Sequence, residues 1–245
     1  MMKFLWEEAI SMPEKLLTDT ALAVAKTKEN IRAAALSAGR NPENVRLMAV
    51  TKTVSPEKVN EAIEAGCDLL GENRVQELLE KFESYDKSAE IHFIGKLQTN
   101  KVKYIVDKVT MIESVDSVQL AEEIEKRCAA IEKTMDILLE VNIADEESKS
   151  GFSIDEVVAA AEEIGRFSHL RLRGLMTIGR FGAEFEETKG YFEKMSALLV
   201  DIKGKKIDNN DISVLSMGMS SDYELAVQSG ATIVRIGRGL FGERK

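Results

Sequence analysis

Short apolar runs alternate with helix-patterned stretches eight times along the 245 residues, and this alternation constrains the architecture more than any other feature. Strands are expected at 45–54, 67–70, 90–94, 110–114, 135–143, 170–178, 212–216 and 232–236. The runs at 45–54 and 135–143 are nearly continuous in apolar character, which suits strands covered on both faces. Helical patterns separate the strands at 55–66, 72–85, 100–106, 117–131, from 153 onward, 184–200 and 222–228, and another at 14–38 precedes them all. Local signals agree with these bounds. Ser55-Pro56-Glu57 supplies an N-cap, a first-turn proline and a first-turn acid, Ser153 and Glu156 form a capping-box pattern, and Gly39 and Gly66 are helix stops. With no compositional break or Pro/Gly-rich linker, the pattern predicts one domain over residues 1–245. Its fold class is α/β, a closed (β/α)8 barrel of the TIM type with the 1–40 helical segment packed on it. An open doubly wound sheet is the competing architecture.

Charge and residue usage narrow the function. A net charge of -9 opposes the basic field that nucleic-acid binding needs. The basic cluster at 96–103 is most simply a solvated helix face. No stretch approaches the roughly 20 apolar residues of a membrane span, and the acidic start at 1–9 does not resemble a secretory leader. Cys67 and Cys128, with His92 and His169, lack the spacing of a disulfide framework or a zinc site, so no metal is expected and the cytoplasm is the expected location. Both cysteines are expected to be buried.

In a barrel of this kind the chemistry sits at the C-terminal ends of the strands. The first strand delivers Lys52, with the parity of Met48 and Val50. A lysine on an apolar face loses solvation, which favours the neutral amine that imine formation requires. The alternative is a lysine that tops the strand and reaches into solvent. The last two strands run into Ser216-Met217-Gly218-Met219-Ser220-Ser221 and Arg235-Ile236-Gly237-Arg238-Gly239, where such barrels often bind phosphate. Ordinary turn chemistry is the competing account of each small residue. Gly237 to Gly242 matches G-x-G-x-x-G, but no second strand and acid follow, so the dinucleotide reading fails. Arg235 shares parity with Ile233 and can face inward, or it can pair with an acid such as Glu113. His92 lies within a strand, where a hydrogen-bonded core histidine competes with an acid/base role. An imine-forming lysine, a phosphate cradle and an arginine facing a ring nitrogen together suggest pyridoxal 5′-phosphate (PLP).

The segments Ala49-Val50-Thr51-Lys52, Gly71-Glu72-Asn73-Arg74, His92-Phe93-Ile94-Gly95 with Leu97-Gln98-Thr99-Asn100-Lys101, Ser148-Lys149-Ser150-Gly151, Arg173-Gly174-Leu175-Met176, Leu215-Ser216-Met217-Gly218-Met219-Ser220 and Arg235-Ile236-Gly237 span nearly the whole chain. In them the sequence resembles the YggS/PROSC family of pyridoxal phosphate homeostasis proteins. The resemblance implies a barrel similar to the alanine racemase N-terminal domain, with PLP held as a Schiff base on Lys52. It further implies Arg235 against the pyridine nitrogen, Ser216, Ser220, Gly237 and Arg238 around the phosphate, and Asn73 and Met176 along the ring. An arginine at the nitrogen leaves the ring largely unprotonated and a weak electron sink. The chain ends shortly after the barrel, and no tyrosine closely follows Lys52, so two-base racemisation lacks support. The expected protein is a monomeric PLP carrier with little or no turnover, whose partners are PLP and PLP-dependent apo-enzymes rather than nucleic acid or membrane. A PLP-dependent amino-acid racemase is the alternative, and a cofactor-free lysine enzyme acting on a sugar phosphate is a third reading.

Overall fold

The computed structural model describes residues 18–146, 149–180, 182–207 and 211–242. Eight parallel strands close into a barrel in chain order: β1 Arg46–Val50, β2 Leu69–Glu72, β3 Glu90–Phe93, β4 Met111–Val115, β5 Met135–Glu140, β6 Leu170–Met176, β7 Val214–Ser216 and β8 Ile233–Ile236. Pairing of β8 with β1 sets Arg235 beside Met48 and Ile236 beside Ala49, which closes the ring and rules out the open sheet. The α-helices among the described residues are α1 Asp19–Ser37, α2 Pro56–Glu64, α3 Val75–Lys81, α4 Val118–Ala129, α5 Ile154–Ile164, α6 Phe185–Gly204, α7 Tyr223–Gln228 and α8 Arg238–Phe241. No helix among the described residues is long and apolar enough to cross a membrane.

Several bounds depart from expectation for local reasons. The helix expected from 14 begins at Asp19, with the Thr18 hydroxyl accepting the Ala21 N–H at 3.1 Å. Residues 14–17 lie outside the described residues, as do the 1–9 stretch and Ser148. β2 starts two residues later than expected because the Cys67 N–H still donates to Ala62, and the strand then takes in Gly71 and Glu72. The short helix expected at 100–106 is a 3-10 helix, Thr99–Tyr104. β1 stops at Val50, where the chain turns out of the sheet. Both cysteines are free and buried.

Side-chain alternation divides the interior into two regions. Leu47, Ala49, Leu70, Phe93, Ile112 and Leu139 face the helices and join Val59, Leu78, Leu120, Ile124 and Val157 in one continuous cluster. Each such Leu or Ile contributes about 1.5–3 kcal/mol by leaving water. The lumen is different. Two small apolar groups, Met48, Leu69, Ile94 and Ile233 on one side and Met111, Leu138 and Met176 on the other, accompany buried His92, Glu113, Ser216 and Arg235.

Helix α1 packs on α7 and α8, the helices that follow the last two strands. Asn30 Nδ2 donates to the Tyr223 hydroxyl at 2.8 Å. Arg40 donates to the carbonyls of Val227, Gly230 and Ala231 at the end of α7, a cation at a helix C-terminus. Helix α1 therefore braces the elements that carry the last two mouth loops.

Candidate functional site

The C-terminal ends of the strands surround a pocket of about 630 Å³. Lys52, Asn73, Ser220, Arg235, Gly237 and Arg238 all line it, and Val50, Ile94, Ile178 and Met219 supply apolar wall. The backbone on either side of Lys52 is pinned. Thr51 is fully buried, its hydroxyl 2.7 Å from Glu72 Oε1 and 3.2 Å from the Gly71 carbonyl, while its own carbonyl accepts from Lys81 Nζ at 3.3 Å. The Thr53 N–H donates to Glu77 Oε2 at 2.8 Å. Thr53 has a φ of 63°, a conformation a β-branched residue adopts only when its surroundings impose it. Lys52 is half-buried in the pocket wall rather than enclosed in apolar surroundings.

Behind Lys52, the Glu72 carboxyl is buried, and burial pushes it above the usual carboxylate range against the opposing pull of Tyr85 and Thr51. The Tyr85 hydroxyl reaches it at 2.5 Å. Asn73, next in sequence, lines the pocket with a buried side-chain oxygen that has no hydrogen-bond partner. Gly95 makes room for it, because a Cβ there would stand 2.0 Å from the Asn73 carbonyl oxygen. The Ser114 hydroxyl holds the Gly95 carbonyl at 2.6 Å.

Across the mouth, the loop after β7 turns at Gly218, whose φ is 89° and whose Cβ would meet the Ala226 Cβ at 2.4 Å. The Met219 N–H donates to Asp222 Oδ1 at 2.6 Å, and the Ser220 hydroxyl accepts the Gly239 N–H at 3.3 Å. The β7 loop and the start of α8 are thus joined through Ser220. Arg235 is almost wholly buried at the pocket edge. Its Nη1 donates to Ser216 Oγ at 2.8 Å and its Nη2 to the Thr177 carbonyl at 2.7 Å.

Two expected residues lie below the pocket rather than on its lining. Ser216 is the last residue of β7, fully buried, and its hydroxyl donates to Glu113 Oε2 at 2.6 Å while accepting from Arg235. Strand parity turns it into the lumen, away from the phosphate role that the resemblance implies for it. Met176 is fully buried against Met111 and Leu138 for the same reason.

Residues 22–245 match the family described as the alanine racemase N-terminal domain. The chain belongs to this family. The pyridoxal phosphate homeostasis protein of Aquifex aeolicus is 43% identical over 188 residues, covering 76% of this chain and 82% of the relative. The protein of the same name from Escherichia coli K12 is 36% identical over 232 residues, covering 93% and 98%. The structure of PipY from Synechococcus elongatus PCC7942 with PLP bound matches with a TM-score of 0.74 at 31% identity, over 87% of this chain and 99% of that one. Alanine racemase from Corynebacterium glutamicum matches with a TM-score of 0.66 at 16% identity, over 91% and 62%, which is a shared barrel fold alone.

Some neighbours of this family's barrel mouth carried weaker signals in the sequence. Glu113 is a charge in an apolar strand, and the sequence points to it only as an ion-pair partner of Arg235. A register shift between Ile112 and Val115 gives that stretch of β4 an extra residue, and Glu113 and Ser114 occupy it between two members of the sheet–helix layer. His92 is a buried, hydrogen-bonded strand histidine, its Nδ1 2.7 Å from Glu113 Oε1. Glu140 shares parity with Leu138 on β5 and so turns to the lumen at the mouth. Burial, and then the neighbouring Asp116 charge, push its carboxyl up to about 7 against the pull of Arg235 and Lys96. Its parity was the available signal.

Proposed function

We propose that this chain is a PLP-binding homeostasis protein that holds the cofactor covalently on Lys52, in the cytoplasm, with little or no turnover. One observation carries the reading. A lysine two residues beyond the end of β1, an arginine on β8 and the Ser220–Gly237–Arg238 cradle border the same pocket. The names of the relatives and the PLP-bound PipY structure support it.

The residues present fit the group. When bound, PLP supplies an electrophilic aldehyde on an electron-withdrawing ring. Lys52 provides the amine, on backbone held at Thr51 and Thr53 so that little of its position is left to chance. A guanidinium carries five N–H donors. Arg235 commits two to Ser216 and Thr177 and keeps donor capacity for the ring nitrogen. That donor stays cationic and holds the nitrogen as an acceptor, which weakens the ring as an electron sink. Asn73 offers its unpartnered oxygen to polar groups on the ring. Ser220, Gly237 and Arg238 hold the phosphate, with Ser216 acting on Arg235 from below. Met176 packs beneath the floor. A carrier of this kind protects free amines in the cell from a reactive aldehyde and presents the cofactor to apo-enzymes, and we propose that it does so as a monomer.

The decisive experiment is the absorbance spectrum of the purified protein with PLP, before and after borohydride, followed by peptide mapping. A visible band that borohydride removes, with a pyridoxyl group on Lys52 and no band in Lys52→Ala, is the expected result. No band, or a label on another residue, overturns the reading. Glu140 favours a second reading, a PLP-dependent enzyme, because a lumen-facing carboxyl near neutrality can accept a proton at the mouth. Exchange of an amino acid's α-proton in deuterated water, lost in Glu140→Gln, would establish it.

A further inference from the structure

A continuous line of buried polar side chains runs along the lumen from the base of the barrel to its mouth. At the base, His92 Nε2 is 3.7 Å from Glu90 Oε2, and His92 borders a cavity of about 590 Å³. His92 Nδ1 meets Glu113 Oε1 at 2.7 Å, the Ser216 hydroxyl donates to Glu113 Oε2 at 2.6 Å, and Arg235 Nη1 donates to Ser216 at 2.8 Å. Arg235 then borders the mouth pocket. The four residues from His92 to Arg235 are each at most 4% exposed. Hydrogen-bond directions along the line are fixed at one point. Ser216 accepts from a guanidinium that can only donate, so its single proton goes to Glu113.

We propose that Glu113 is a positioning residue for Arg235, and that His92 behind it links proton uptake at the base of the barrel to ligand occupancy at the mouth. One carboxylate answers two cationic groups. When His92 carries a proton, Glu113 is neutralised from below, and Arg235 presents more of its positive charge to the pocket. When His92 is neutral, the Glu113 charge is directed at Arg235. A ligand that sets an electron-rich ring nitrogen and a phosphate near Arg235 prefers the first state, and by linkage it must raise the proton affinity of His92 by the same factor. The inference rests on the reading of the mouth as a PLP site.

Other charges around His92 are held in pairs of their own. Arg46 on β1 binds Glu90 through two contacts of 3.2 Å, and Asp136 on β5 takes Arg171 and Arg173 from β6. Arg40 is committed to the end of α7, and Glu43 borders the same base cavity. Glu113 and Glu90 are therefore the acids through which the His92 proton is felt.

The chain has two histidines, so histidine-labelled protein with His169→Gln reports His92 alone by NMR. The titration is run from pH 5 to 9 on the full chain, with and without PLP, while the absorbance band reports the Lys52 adduct in the same samples. The expected result is a His92 midpoint that rises by about 0.5 pH unit or more on loading. Glu113→Gln lowers the midpoint of the free protein and removes most of the rise. An adduct with an unmoved midpoint overturns the coupling alone. A folded Glu113→Gln protein that keeps the full rise overturns the role of Glu113. Absence of any adduct in the unsubstituted chain overturns the reading of the pocket and the coupling with it. The ligand-dependent comparison uses protein with an intact line, so a Glu113→Gln variant that fails to fold leaves the test standing.

Discussion

The layer between sheet and helices and the lumen of the barrel are both removed from water, yet they are assembled on different principles. The outer layer is one apolar cluster that runs around the barrel, from Leu47 and Ala49 on β1 to Val234 and Ile236 on β8. Its members need only volume and shape, so neighbouring side chains are interchangeable within limits. The lumen instead sets His92, Glu113, Ser216 and Arg235 among its apolar residues, and each depends on the next for a partner. A buried ionic group of this kind gives little net stability. Its physical value is that it fixes Arg235 in direction and charge at the mouth.

The contrast is broken most strongly by removing a large side chain from the outer layer. Phe93 is fully buried against the helices, and Phe93→Ala should cost about 3–5 kcal/mol in urea unfolding. That loss should change little between pH 5.5 and pH 8, because Phe93 carries no charge and Glu72, at its paired strand position, keeps its own bonds to Thr51 and Tyr85. A loss that varies with pH would mean that the two regions are not separable. Glu113→Ala should cost a similar amount, about 3–5 kcal/mol, since it leaves two buried cations without their shared counter-charge. Here the cost should depend on pH, and it should be accompanied by weaker retention of PLP.

The pH dependence itself is the next test. Burial alone would push His92 down, but its bonds to Glu113 and Glu90 outweigh that and hold the imidazole above its ordinary value. Burial would likewise raise Glu113, yet His92, Arg235 and Ser216 bring it below the ordinary carboxylate range. The His92 contribution to stability is complete below about pH 6.5 and is lost as pH rises through its folded value. The Glu113 contribution is present above about pH 4.3 and is lost as pH falls through its folded value. The pair therefore stabilises most between about pH 4.3 and 6.5. Unfolding free energy measured across pH 4–9 should fall on the alkaline side in the unsubstituted chain, and His92→Asn should flatten that limb.

The two regions also differ in how far the sequence discloses them. The outer layer follows from apolar runs and helix signals, and strand order and barrel closure come with it, because each strand of a parallel barrel must be buried on both faces. Lys52 was legible because a single cation follows a continuous apolar strand. Arg235 was legible through its parity with Ile233. The strand end at Ser216 was legible, but its burial beneath the pocket was not, although its parity with Val214 turns it inward. Glu113 was seen as a possible partner but not as a link, since nothing in spacing tells that a serine 103 residues away stands between it and the arginine. Gly95 gave no sign of its role either. Its closeness to the Asn73 carbonyl is a property of two adjacent strand ends, and no local pattern records it.

Glu140 sharpens the comparison at the smallest scale, because it stands where the lumen meets the mouth. Its folded carboxyl titrates at about 7, raised by burial and by Asp116, while an unfolded glutamate titrates near 4.3. Below that lower value both states are protonated and the residue is neutral in its effect. As pH rises the unfolded chain ionises first, so the folded state becomes progressively disfavoured until the folded carboxyl also ionises at about 7. Glu140→Gln removes this penalty without removing volume. The variant should match the unsubstituted protein near pH 3.5 and exceed it at pH 8 by about 1–2 kcal/mol, discounted for the partial exposure of the side chain. Thermal unfolding at the two pH values would register this as a rise of about 2–8 °C at pH 8 alone. Equal stability at pH 8 would mean that solvent at the mouth screens Glu140 from Asp116, and that the polar character of the lumen ends below it, at Arg235.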